Sequence, residues 1–474
     1  MPSELTPELK ATLPAVSSRW PTDTLDDILE ACDPGEALLP DDSRRVDLES
    51  LRHGRGIQKF QKAFRLKAPG GRFHHGLLCG HRGSGKSTEL LRLQDWAGRN
   101  GFLAVWEPVD VHFGMIDLDY SDLFLMAATM AERALRDQGY PLPEEKVRRV
   151  MLWFRDVIQE DSDEYKSEIG AEVGGQLGGK LPLGLGALFA KLTAGWKGAS
   201  SHATRIRETL RRYPETLITY TNDLLDTANT IVRDRGNKNG LLLIFDNLDR
   251  YDPAQIDKVL VRSSRQMLQM SAHTLFTFPI SLAYNPISGR VTADYSPCVT
   301  LPMVAVRRKD DAWAETVLES PFDQDAIEAL RGLLAERIEL DRLFARPQED
   351  VETLIKMSGG SIRDLIQMVA SAATFTEEEI ITTEAVQDAV NELRGTYMRL
   401  MANTPHDYRC LAIHARREPM STAEGDQCAT LSRLIFRGCL LEYMEDEKPW
   451  YDVHPVLIDT EEMRHARNAA KTSG

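Results

Sequence analysis

The chain has 474 residues, enough for roughly three or four domains. Apolar residues make up 42% of it and charged residues 27%, the balance of a globular protein with a core. Its 57 Lys and Arg against 72 Asp and Glu give a net charge of −15, which excludes a protein that coats nucleic acid through its overall charge and leaves a local basic patch open.

The predicted elements alternate between strands and helices as far as residue 305. Residues 1–50 are rich in proline and acid, and we expect an irregular segment there. We expect strands over 76–79, 102–106, 241–245, 274–282 and 299–304, and helices over 87–97, 120–138, 144–159 and 202–235. This alternation predicts an α/β fold built on a parallel sheet. Residues 323–400 have helical spacing, and a β-like tail lies near residue 450.

Residues 161–200 differ from the rest of the chain because they are crowded with glycine, which opposes a stable helix or strand. We expect a flexible surface insertion there; the alternatives are a segment that folds on a partner or neighbouring subunit, and a membrane-touching hairpin. The longest apolar run, residues 181–190, would rise only about 15 Å as a helix. We therefore expect no transmembrane span.

The cysteines show no CxxC spacing and no clustering with histidines at zinc spacing. The first residues contain no apolar signal core. Both observations favour reduced thiols in a cytoplasmic protein.

A glycine-rich turn follows the first strand. Residues 80–87, GHRGSGKS, match the phosphate-binding pattern GxxxxGK[ST]. Its glycines let the backbone N–H groups point at phosphate oxygens, and the following helix adds its positive dipole end. Lys86 would place its charge on the β- and γ-phosphates, and Ser87 would offer a hydroxyl to Mg²⁺. The predicted nucleotide contacts in this loop are Gly80, Gly83, Ser84, Gly85, Lys86, Ser87 and Thr88.

An apolar strand that ends in an acid supplies the second half of such a site. The run LLLIF over 241–245 is followed by DNLD, so Asp246 would hold the water shell of Mg²⁺ beside Ser87. Asp249 would orient or deprotonate the attacking water; the alternative is that it only caps a turn. The stretch between the two motifs exceeds a minimal core by roughly 100 residues, which predicts an insertion at about 140–236.

The pair GHRGSGKST and LLLIFDNLD resembles the Walker motifs of the AAA+/STAND division of P-loop ATPases. Asn247 stands where AAA+ enzymes carry Glu, and the resemblance therefore implies slow hydrolysis with Asp249 as the substitute. The resemblance further implies four site residues: Thr277 as the polar residue of the sensor 1 strand, Arg290 as an arginine that reaches a neighbouring subunit's nucleotide, Arg363 as the sensor 2 contact to the γ-phosphate, and His454 as the histidine that reads the diphosphate. The alternatives are surface salt bridges for the two arginines and a structural or surface role for the histidine.

The same resemblance implies an organisation in four segments. Residues 51–305 would form the P-loop core, 306–395 a helical lid and 396–474 a winged-helix domain, after the irregular residues 1–50. The winged helix would have helices at 406–417 and 430–439 and a two-stranded wing at 440–453.

The function that this implies is an ATP- and Mg²⁺-dependent switch. Its nucleotide state would control self-assembly into a homo-oligomer or a separate effector protein, in a bacterial defence or mobile-element system. One alternative is an ATP-gated DNA-binding initiator or regulator, although the C-terminal module carries few basic residues. Another is a scaffold that binds nucleotide without turning it over.

Overall fold

The computed structural model describes residues 19–52, 56–66, 68, 73–115, 117–159, 207–208, 210–283, 291, 293–309, 316–377, 379–401, 405–415, 426–446 and 448–472. The glycine-rich segment 161–200 lies outside the described residues, so the prediction of a surface insertion is not tested there.

A five-stranded parallel sheet organises the first part of the chain. Its strands are β1 His75–Gly80, β2 Phe102–Pro108, β3 Gly240–Asp246, β4 His273–Pro279 and β5 Cys298–Leu301. They lie in the order β2-β3-β4-β1-β5, and every neighbouring pair is parallel. The carboxyl ends of all five strands therefore share one edge, where open α/β sheets bind ligands. This confirms the predicted α/β sheet of the P-loop type.

Twelve helices of nine or more residues are described: α1 Gly56–Phe64, α2 Lys86–Arg99, α3 Tyr120–Asp137, α4 Glu144–Gln159, α5 Pro214–Asp234, α6 Gln324–Ala335, α7 Pro347–Ser358, α8 Ile362–Thr374, α9 Thr383–Leu400, α10 Pro405–His414, α11 Asp426–Phe436 and α12 Glu461–Thr472. Shorter helical segments are Ile28–Ala31, Glu49–Arg52, Val109–His112, Leu248–Arg250, Pro253–Ile256, Asp257–Arg262, Ser264–Met267, Ile280–Ala283, Val317–Glu319, Leu340–Leu343 and Pro455–Ile458. Two further strands, β6 Leu440–Glu445 and β7 Lys448–Val453, form a separate two-stranded sheet. Among the residues just given, no helix is both long enough and apolar enough to span a membrane.

The two faces of the large sheet have separate cores. Leu243 and Phe245 pack on the face covered by α3 and α5. Leu242 and Ile244 pack on the opposite face with residues of α1 and α2. Because successive side chains of a strand point to opposite faces, a strand covered on both sides needs an unbroken apolar run, as β3 has.

Three elements are shorter than their predictions because of proline. The expected helix 202–235 is interrupted at Tyr213 (φ −123°, ψ 51°), and α5 starts anew at Pro214, which has no N–H to continue a preceding helix. The expected strand 274–282 ends at Pro279, after which the chain turns into a short helix. The expected strand 299–304 ends at Leu301, just before Pro302. These boundary predictions were wrong, although each element exists.

The chain divides into two compact units by its internal contacts. One comprises residues 1–52, 304–416 and 452–474 and holds α6–α10 and α12; we call it the helical unit. The other comprises 53–303 and 417–451 and holds the large sheet, α1–α5, α11 and β6; we call it the sheet unit. The expected helices of the lid and the helices and wing of the expected winged helix are present, while the four-segment boundaries stay a prediction.

Candidate nucleotide-binding site

The loop between β1 and α2 has a backbone that demands glycine. Gly83 and Gly85 have φ of 85° and 86°, in the left-handed region that favours glycine. A Cβ on Gly80 would lie 2.7 Å from the carbonyl oxygen of Leu301. The loop therefore holds a tight curl directly before the N-terminus of α2, the geometry that presents amides and a helix dipole to a phosphate.

The predicted loop contacts lie at the end of β1, in this curl or in the first turn of α2, namely Gly80, Gly83, Ser84, Gly85, Lys86, Ser87 and Thr88. Lys86 is buried, and its Nζ donates to the carbonyl oxygens of Gly80 (2.9 Å) and His81 (2.7 Å). The same Nζ lies 3.0 Å from Oδ2 of Asp249, whose side chain is also buried. The ammonium is thus held at the loop by three oxygens, one of them a carboxylate.

Asp246 ends β3 and is 1% exposed. Its Oδ1 accepts the N–H of Asn247 at 2.7 Å, and its Oδ2 accepts the indole N–H of Trp106 at 3.2 Å. Two donors therefore fix the orientation of the carboxylate at the sheet edge.

The charges around Asp246 oppose one another. Burial, and next the neighbouring charge of Asp249, raise the pKa of the Asp246 carboxyl above its ordinary value. The hydrogen bond from Ser87 and the positive charge of Lys86 act in the other direction. A divalent cation would relieve the repulsion between the two carboxylates. A serine hydroxyl beside a carboxylate is also the hard-oxygen donor set that suits Mg²⁺, so these residues fit the predicted cation.

The residues after Asp246 form a braced turn. Asn247 has φ 64°, and its amide donates to Oδ1 of Asp110 at 2.8 Å. Arg250 donates to Oδ2 of the same aspartate, also at 2.8 Å. Asn247 is thus occupied in fixing the turn to the segment after β2.

Thr277 braces the same turn from β4. It is fully buried, and its hydroxyl accepts the N–H of Leu248 at 2.9 Å. Thr277 therefore contacts the turn that joins Asp246 to Asp249. Its role as the sensor 1 residue stays a prediction. Asp249 is ion-paired with Lys86, which differs from the simple turn cap held open as an alternative.

Three predicted residues remain, of which one is outside the described residues and two are in the helical unit. Arg290 lies outside the described residues. Arg363 is half-buried in the first turn of α8, in the helical unit. His454 belongs to the helical unit and is fully buried, with Nε2 3.2 Å from Oδ2 of Asp364 and its ring stacked on Tyr397 at 4.1 Å. These contacts explain His454 as a packing residue, and the nucleotide roles of all three stay predictions.

Sequence reasoning missed Trp106, Asp110 and the side chains of His81 and Arg82. His81 is buried and occupies a variable position of the loop motif, which carries no signal of its own. Trp106 and Asp110 could have been found from their place, because they flank the carboxyl end of the strand beside β3.

The sequence matches no family model, and no curated protein shows significant similarity to it. Similar solved structures include the ORC2 protein of Aeropyrum pernix in ADPNP–ADP complexes, at 13% identity and a TM-score of 0.40, covering 93% of this chain and 98% of that one. The ORC1 protein of Aeropyrum pernix in complex with DNA is similar at 14% identity and a TM-score of 0.38, covering 92% and 95%. The Walker-type ATPase of Pyrococcus abyssi is similar at 14% identity and a TM-score of 0.37, covering 90% and 98%. At these identities and TM-scores, the functional assignment depends on this chain's own residues.

Proposed function

We propose that the chain binds ATP with Mg²⁺, hydrolyses it slowly, and uses its nucleotide state to control self-assembly or a separate effector protein. The observation that carries the proposal is the convergence of two distant motifs at one sheet edge. Lys86 of the loop is ion-paired with Asp249, and Ser87 acts to lower the pKa of Asp246, although some 160 residues separate the loop from the acids. Two motifs brought together in this way match the two halves of a site for a nucleoside triphosphate.

The residues have separate tasks in this proposal. Amides of the curl and the Lys86 ammonium hold the phosphate tail, and Lys86 exchanges its bond to Asp249 for a phosphate oxygen. Ser87 and Asp246 hold the Mg²⁺, which neutralises phosphate charge when bound. Asp249, released from Lys86, becomes available to orient the attacking water.

Slow turnover follows from the braced turn. Asn247 is bonded to Asp110 and cannot act as a base, and Asp249 must first leave a buried ion pair. A slow hydrolytic step suits a switch, because the bound state then lasts long enough to be read by a partner. Arg363, and Arg290 of a neighbouring copy, would close on the phosphates in the ATP-bound form, as the family resemblance implies.

The proposal includes a cytoplasmic location and a role in bacterial defence. The cysteine pattern of the sequence, which has no CxxC spacing, supports the first. The DNA-binding alternative stays a prediction, and ATP-sensitive DNA binding at low salt would favour it.

Phosphate release and molar mass test the proposal together. Both are measured with ATP, with ADP and without nucleotide for the wild type and for Lys86→Ala, with Lys238→Ala as the control because Lys238 is an exposed lysine of the same unit. We expect slow phosphate release and a nucleotide-dependent mass in the wild type and the control, and neither in Lys86→Ala. Normal turnover in Lys86→Ala would show that the site is wrongly assigned. A wild-type molar mass that is the same with ATP, with ADP and without nucleotide would refute the switch.

A further inference from the structure

Two variable residues of the phosphate loop contact the C-terminal part of the sheet unit. His81 is 2% exposed, and its Nε2 accepts the backbone N–H of Glu442 in β6 at 2.8 Å. The carbonyl oxygen of Glu442 in turn accepts the N–H of Met303, just after β5. Strand β6 is therefore hydrogen-bonded through one residue both to the loop and to the segment that follows β5.

Arg82 makes a second, independent connection. Its guanidinium carbon lies 4.5 Å from the ring centroid of Phe436, the last residue of α11. The same guanidinium donates to the carbonyl oxygen of Arg250 at 2.6 Å, in the turn that follows Asp246. Arg82 thus joins α11 to both halves of the candidate site.

The backbone of His81 is also hydrogen-bonded to Lys86. The carbonyl oxygen of His81 accepts from Lys86 Nζ and also from the N–H of Ser84. A displacement of the His81 backbone therefore moves a ligand of the lysine and the curl itself. Breaking this hydrogen bond costs free energy, because the Glu442 N–H would lose its buried acceptor.

We propose that His81 and Arg82 are positioning residues through which the segment of residues 426–445 holds the phosphate loop in its binding conformation. Docking of this segment and occupancy of the nucleotide site are then coupled, and thermodynamic linkage makes the coupling reciprocal. Nucleotide binding tightens the segment, and loosening the segment weakens nucleotide binding. The inference rests on the proposed function, since it assigns a regulator to the same site.

Two kinds of variant separate coupling from simple damage to the loop. His81→Leu keeps the bulk and removes the acceptor, whereas His81→Gln restores an acceptor. Phe436→Leu removes the ring under Arg82 from outside the loop. Phe375→Leu is the matched control, because Phe375 is an exposed phenylalanine of the helical unit.

Two measurements are made on each full-length variant: the dissociation constant of ADP with Mg²⁺ by calorimetry, and hydrogen exchange of the peptide covering residues 440–446 with and without ADP. We expect His81→Leu and Phe436→Leu to weaken ADP binding by about 5–30-fold, and His81→Gln and Phe375→Leu to leave it within about twofold. In the wild type ADP slows exchange in 440–446, and in the two weakened variants it does so less.

Unchanged affinity in both His81→Leu and Phe436→Leu would overturn the inference. So would exchange in 440–446 that ignores ADP in a wild type that binds it, because a purely structural contact would behave in that way. If His81→Leu does not fold, Phe436→Leu and His81→Gln decide the matter alone. Failure of the wild type to bind ADP at all would instead refute the proposed function.

Discussion

Replacing Asp249 by Asn tests whether the carboxylate holds Lys86 in place of a phosphate. The two side chains are only 6% and 7% exposed and lie 3.0 Å apart. Removing one partner of a buried ion pair costs about 3–5 kcal/mol when the other charge is left alone. Lys86 keeps its two carbonyl acceptors, and Asp246 loses a repelling neighbour. We therefore expect a smaller loss of stability, about 2 kcal/mol, in the nucleotide-free protein.

Bound nucleotide should reverse most of that loss, because its phosphates supply the missing negative charge to Lys86. By the thermodynamic cycle, the roughly 2 kcal/mol regained on binding corresponds to ADP affinity about 30-fold higher in Asp249→Asn than in the wild type. The assays are urea unfolding with and without ADP and a direct measurement of ADP affinity. Asp234→Asn, an exposed carboxylate of the same unit, is the control. Equal destabilisation of the free and ADP-bound protein, or unchanged ADP affinity, would refute the exchange of Asp249 for phosphate.

Three further outcomes follow from the site and its sheet. Because the Trp106 indole donates to Asp246, its fluorescence should change more with Mg²⁺ and nucleotide than with nucleotide in EDTA. Trp106→Phe should remove that change and raise the Mg²⁺ concentration required for binding several-fold. A fluorescence change that persists in Trp106→Phe contradicts the contact. Burial lowers the pKa of His75 to about 4 and that of His273 to about 3, below the unfolded value near 6.5. The stability that depends on these neutral histidines is therefore fully present above about pH 6.5 and is lost as the pH falls toward 4. The loss is up to about 1.4 kcal/mol per pH unit for each histidine. Urea midpoints between pH 7 and 4.5 measure this loss, and His273→Asn, which keeps an acceptor, should make the dependence shallower; an unchanged slope speaks against it. Gly80→Ala brings a Cβ within 2.7 Å of a backbone carbonyl, so it should lower nucleotide affinity at least tenfold by calorimetry, and wild-type affinity would mean that the loop does not need this curl.

The parts of the site that the sequence predicted are those with local causes. The curl of the loop depends on Gly83 and Gly85 within three residues, and the burial of β3 follows from its own apolar run. The position of Asp246 then follows, because parallel strands end at one edge. Pro214 also carried a local signal for a helix start, which the apolar periodicity around it concealed.

The parts that the sequence did not predict depend on contacts between distant segments. Trp106 meets Asp246 only because β2 and β3 pair in the register that sets Pro108 beside Asp246. His81 meets Glu442 across most of the chain, and nothing in either neighbourhood marks the pair. The ring of His454 packs on Tyr397 and its Nε2 lies near Asp364, contacts that its sequence neighbourhood does not mark; its nucleotide role stays a prediction.

Calorimetry of ADP binding in the presence of Mg²⁺ tests the central claim most directly, namely that the curl before α2 and the carboxylate of Asp246 together hold a nucleotide. We predict one ADP per chain for the wild type and Lys238→Ala, weaker binding when Mg²⁺ is chelated, and a loss of at least 100-fold in Lys86→Ala. Wild-type affinity in Lys86→Ala, or no heat from the wild type at all, would contradict the account.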